Sequence, residues 1–186
     1  AELAKRRQKL TETMARRRGE ANARLRARVG DYLAAQFELE KYPEEGFDQL
    51  LTPDDLIPAS VRRWRDYLHT IKDPAHPIFG PWFALAGLPD AGFTQAAPAA
   101  LDQARAKPGV NPLIAACLAI APDSRQELAR RYAQAFASAQ KETNSPGAAE
   151  LLEFLSAPPS PTVVPDTDII NNEAFFPTPI TEELWK

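Results

Sequence analysis

One cysteine, two histidines, one methionine and eight glycines are all that the 186 residues hold of the types that commonly build thiol, metal and phosphate sites. The lone thiol, Cys117, excludes an internal disulfide. With only His69 and His76 available, a zinc site would need carboxylates to complete its three or four ligands; Asp66 and Asp73 are the nearest. Pro74 and Pro77 separate the two imidazoles, so both histidines are expected at the surface or in caps, with no metal bound. There is no glycine-rich phosphate loop, no C-x-x-C-H haem attachment site and no Ser/His/Asp pattern, and no cofactor is expected. No apolar run approaches the roughly 18 to 20 residues of a membrane-spanning helix, so membrane insertion is not expected. Strand-like alternation is also missing, apart from Thr162 to Val164.

What the chain has is proline, helical periodicity and arginine. Eighteen prolines are about twice the usual share and favour short helices joined by fixed corners. Hydrophobic residues at 44% and charged residues at 25% are ordinary for a globular domain, which argues against disorder throughout. The class is therefore all-α: a long amphipathic helix over residues 1–42, a bundle of proline-punctuated helices over 43–157, an extended proline-rich segment over 158–177 and the start of another helix over 178–186.

In the first segment Leu3, Leu10, Met14, Ala21, Leu25 and Tyr32 step at close to 3.6 residues per turn, which predicts one nearly straight helix weakened at Gly19. The stripe broadens at Val29, Tyr32, Leu33 and Phe37, where the helix is expected to enter the core. No cap precedes Ala1, so the helix is expected to continue upstream in a longer protein. Ten of the 22 Lys and Arg fall in residues 1–30 against three acids, leaving twelve against 22 acids beyond. Arg6, Arg7, Arg16, Arg17, Arg18, Arg24, Arg26 and Arg28 are expected in solvent, where they could bind nucleic acid or an anionic surface, or fold back on the acidic body.

The densest aromatic stretch runs from Val61 to Pro89. Val61, Trp64, Leu68 and Ile71 form one helical stripe; prolines turn the chain, and a second helix opening at Pro77 carries Phe79, Trp82, Phe83 and Leu85. Trp64 and Trp82 are expected in the core. Thr52 and Pro53 open a short helix before this stretch. After it, Phe93 to Lys107 reads as one or two pieces interrupted at Pro98. Asn111 and Pro112 open LIAACLAI, apolar on every side and expected to be buried with Cys117 inert in it. Ser124 and Glu127 form a capping box for a helix with Leu128, Tyr132, Phe136 and Ala139 inward. Ser145 and Pro146 open a helix holding Leu151, Leu152, Phe154 and Leu155. APPSPTVVP should run extended over the surface, and Thr178 and Pro179 begin the last helix. The pairs Glu44/Glu45, Asp54/Asp55 and Glu182/Glu183 sit at helix ends and turns, and none marks itself as a catalytic pair.

VRRWRDYL, HPIFGPWFALAGLP, NPLIAACLAIAP, RQELARRYAQAF and LLEFLSAPPSPTVVP, in that order, resemble the helical middle region of planctomycete multidomain proteins. Those proteins combine a planctomycete-type cytochrome c domain with two domains of unknown function. The resemblance covers about residues 1–165, and Phe79, Gly80, Pro81, Trp82 and Leu85 are its most specific part. It implies an extracytoplasmic setting, flanking domains as partners, a link to polysaccharide use and no catalytic residue in this region. Three functions remain open: a non-catalytic spacer and interaction module, a carbohydrate-binding or carbohydrate-processing domain using an exposed Trp82 or Trp185 beside carboxylates, and nucleic-acid binding through the basic helix.

Overall fold

The computed structural model describes residues 2–43 and 54–165. Among these all regular structure is helical: α1 (Glu2–Ala27), α2 (Val29–Ala34), two single 3-10 turns (Ala35–Phe37 and Leu39–Lys41), α3 (Pro58–Thr70), α4 (Gly80–Ala86), α5 (Phe93–Arg105), α6 (Pro112–Cys117), α7 (Arg125–Lys141) and α8 (Ala148–Ser156). The helix expected at Thr52 and Pro53, the segment 166–177, the helix expected at Thr178, the pairs Glu44/Glu45 and Glu182/Glu183, and Trp185 lie outside the described residues.

α7 is the axis of the body and packs against α2, α4, α6 and α8. Its inward stripe of Leu128, Tyr132, Ala135, Phe136 and Ala139 follows the helical period and is buried. The crossing with α2 is a close one. A methyl added at Gly30 would stand 2.6 Å from the Ala133 Cβ and 3.3 Å from the Ala129 carbonyl, so the two backbones meet with nothing between them. Gly30→Ala is expected to cost about 1–3 kcal/mol through this overlap, outweighing alanine's better helix propensity; urea unfolding measures it.

The expected aromatic core is present. Trp64 is fully buried and Trp82 is 3% exposed. Phe79 stands edge-on to Trp64 at 6.2 Å, stacks on Tyr132 at 5.9 Å and meets Phe154 at 5.3 Å. Trp82 is edge-on to Tyr132 at 5.4 Å and stacked with Phe37 at 5.3 Å. The Arg125 guanidinium covers the Phe37 ring at 5.3 Å. The Tyr132 hydroxyl donates to the Ile78 carbonyl at 2.8 Å, which satisfies the one polar atom this ring carries inward.

Several local expectations give way to tertiary structure. The first helix is not straight: it breaks at Arg28 (φ −116°, ψ 22°). Arg28 donates to the carbonyls of Asp54 and Asp55 at 2.7 and 3.1 Å, and Arg24 donates to that of Asp55 at 2.9 Å, clamping the incoming chain. Burial starts earlier than Val29, at Ala21 and Leu25, because the chain after α8 lies there: Val164 N–H donates to Asn22 Oδ1 at 2.9 Å and Arg26 Nε to the Leu155 carbonyl at 2.9 Å. Hence the segment from Ser160 to Val164 is no surface strap. Ser160, Thr162 and Val164 are buried, and Thr162 Oγ1 donates to the Leu155 carbonyl at 2.9 Å.

α4 begins at Gly80 and not at Pro77, since residues 77–79 form the turn that delivers Phe79 as its N-cap. α5 runs through Pro98 without interruption; its buried face of Phe93, Ala97, Leu101 and Ala104 offsets the single backbone bond that proline removes. α6 is not fully buried. Ile114 in α6 and Leu118 at its C-cap face inward, but Cys117 is half-exposed and Ile120, past the end of the helix, is 76% exposed. The capping box at Ser124 is only half formed: its hydroxyl accepts from Glu127 N–H at 3.1 Å, while the Glu127 carboxylate takes Arg130 and Arg131 at 2.6 and 2.8 Å. Those guanidiniums hold the Glu127 carboxyl down at about 2. α8 starts at Ala148, after Gly147 in a left-handed turn (φ 84°).

Candidate functional site

The corner between α3 and α4 and the outer face of α8 border an open cleft of about 280 Å³. Tyr67, His76, Glu150, Glu153, Phe154 and Pro159 line it. Each is placed by packing elsewhere. Tyr67 and Phe154 are the half-exposed rim of the aromatic core, with ring centroids 5.6 Å apart and each against buried Phe79. His76 precedes Pro77 in the corner, and its Nδ1 accepts from the backbone N–H groups of Ile78 and Phe79, each at 3.1 Å. Glu150 and Glu153 lie one turn apart on α8.

Asn111 sets the geometry of Glu150. Its side chain is 1% exposed. Its Oδ1 caps α6 by accepting from Leu113 and Ile114 N–H at 3.0 and 3.4 Å, and its Nδ2 donates to the Gly147 carbonyl at 2.9 Å and to Glu150 Oε2 at 2.7 Å. One buried amide thus joins the start of α6, the turn into α8 and a carboxylate of the cleft. Glu153 is exposed, and among the described residues no Lys or Arg lines the cleft.

The hydrogen bonds decide what His76 can do. With Nδ1 occupied by two donors, the neutral ring carries its proton on Nε2 and presents a donor to its surroundings. That is the reverse of a catalytic dyad, in which a carboxylate receives Nδ1–H and Nε2 is the base. Burial lowers the His76 pKa from its ordinary value, against the opposing pull of the Glu150 and Asp73 carboxylates. Glu153 in the cleft and Lys107, which donates to the Pro74 carbonyl at 3.3 Å, are the other charges nearby. Because the unfolded chain takes up the proton first, stability falls on acidification from about pH 7 through about 6.5 until the folded-state pKa is reached, and is unaffected above. His76→Asn, whose Oδ1 can accept the same two N–H groups, is expected to remove that portion of the slope; thermal melts of both proteins across this range check it.

The other residues singled out from the sequence do not converge. His69 is exposed on α3, Asp66 pairs with Arg65 at 2.8 Å, and Asp73 Oδ1 accepts from Ala75 N–H at 2.8 Å. No group of three metal-ligating side chains forms among the described residues. The Cys117 thiol is pushed up by burial, with Arg131 pulling the other way. Trp82 is packed between rings and is no exposed platform. Arg24, Arg26 and Arg28 are spent on carbonyls of the body and do not stand in solvent. Glu150, Glu153 and Asn111's reach to Glu150 were not singled out; two acids one helical turn apart just ahead of Phe154 were the local signal. No known protein family, curated protein or solved structure matches the chain.

Proposed function

We propose that the chain is a non-catalytic helical module of a larger extracytoplasmic, cytochrome-c-associated protein, which holds flanking domains apart and meets them through the first half of α1. One observation carries this reading. Residues 3–12 are exposed all round, with Leu3 70% and Leu10 42% exposed, while the root of the same helix is anchored by Asn22, Arg24, Arg26 and Arg28. At about 1.5 Å per residue the part of α1 ahead of Ala21 reaches roughly 28 Å. Leu3 and Leu10 beside Lys5, Arg6, Arg7 and Lys9 then offer a partner apolar contact and positive charge together.

The two other readings have less behind them. Carbohydrate binding asked for an exposed Trp82 or Trp185 beside carboxylates; Trp82 is enclosed, and Trp185 lies outside the described residues. Nucleic-acid binding drew on eight arginines, of which Arg24, Arg26 and Arg28 hold the body instead. Lysine-reactive cross-linking of the longer protein tests the proposal. Lys5 and Lys9 should link to residues of the flanking domains; links from both confined to residues 1–186 would refute it.

A further inference from the structure

The geometry points to the cleft between α8 and the His76 corner as a binding site for an alkylguanidinium group. Four features converge. Tyr67 and Phe154, half-exposed aromatic side chains, line it, and a planar, weakly hydrated cation stacks on such rings. Its polar lining includes two carboxylates, Glu150 and Glu153, and among the described residues no Lys or Arg lines it to neutralise them. Glu150 is aimed by a fully buried amide that uses only one carboxylate oxygen, Oε2, at 2.7 Å, leaving acceptor capacity for a forked donor. His76, with its Nδ1 engaged by two backbone N–H groups at 3.1 Å, adds no positive charge while neutral.

Size selects among ligands. About 280 Å³ is just under the roughly 300–1,000 Å³ of pockets that take drug-sized molecules. It suits one head group with its alkyl stem and is too small to enclose an oligosaccharide. The group could arrive as a free alkylguanidine or as an arginine side chain on a peptide. The inference is independent of the spacer role, whose test involves α1 alone.

The test is an NMR titration of the whole chain with N-butylguanidinium, with the peptide acetyl-Gly-Arg-Gly-amide, and with the neutral isostere N-butylurea. Butylguanidinium is expected to shift signals of Tyr67, His76, Glu150, Glu153 and Phe154 together, with butylurea at least tenfold weaker. Glu150→Gln and Glu153→Gln should each weaken binding several-fold. Both variants are expected to fold, since the amide introduced by Glu150→Gln keeps a carbonyl oxygen for Asn111 to donate to, and Glu153 is exposed; circular dichroism verifies this. Peptide binding as tight as that of butylguanidinium identifies arginine side chains as the source, and weaker peptide binding identifies the free cation. Absence of shifts at these residues, equal binding of butylurea, or unchanged affinity in both glutamine variants would overturn the assignment.

Discussion

Trp64→Ala is expected to cost about 3–5 kcal/mol, a fall in Tm of roughly 6–20 °C for a chain of this size. The ring is fully buried and stands within 6.4 Å, centroid to centroid, of Tyr67, Phe79 and Phe154, so truncation opens a cavity bounded by stiff rings that cannot collapse into it. Trp64→Phe should cost much less. The indole Nε1 is buried without a hydrogen-bond partner, so phenylalanine gives up packing area but no hydrogen bond. Equal losses in the two variants, measured by calorimetry, would mean that the N–H contributes and the packing account is wrong.

Asn111→Ala should follow in size, at about 2–4 kcal/mol. It removes the side-chain cap of α6, about 1 kcal/mol in itself, and leaves the Gly147 carbonyl and Glu150 without their donor. Asn111→Asp separates the two contributions. It keeps the cap acceptor but sets a carboxylate where an amide stood 2.7 Å from Glu150, so it should be unstable at neutral pH and recover in acid as the carboxyls take up protons. Denaturant midpoints at two pH values distinguish this from a cap effect alone.

These two residues also mark how far the sequence could be read. Val61, Trp64 and Leu68 repeat at helical spacing, and Asn111 before Pro112 is a local start signal, so the all-α class, the Trp64 core and the α6 cap were legible from short windows. Other features depended on contacts between distant parts of the chain. Pro98 reads as a breaker locally, but the face formed by Phe93, Ala97, Leu101 and Ala104 keeps α5 whole. LIAACLAI carries no polar residue to show which side turns outward, so exposed Ile120 was invisible. The proline-rich segment reads as surface because nothing local announces that Thr162 and Val164 pack under α8 and α1. The cleft was least legible of all, since His76, Asn111 and Glu150 lie on different elements and meet only in the folded chain.

The proposed role requires α1 to be rooted at one end and exposed over residues 3–12 at the other. Apolar residues are sparse before Gly19, and most helical stability comes from packing, so exposed Leu3 and Leu10, with only half-buried Met14 packed on the core, cannot hold these turns closed. Amide hydrogen exchange of the 186-residue chain measures this directly. Amides of residues 4–19 should exchange far faster than those of α2 and of α7 between Tyr132 and Ala139, where side chains are buried. Equal protection along α1 and α7 would contradict a projecting helix, and with it the proposed role.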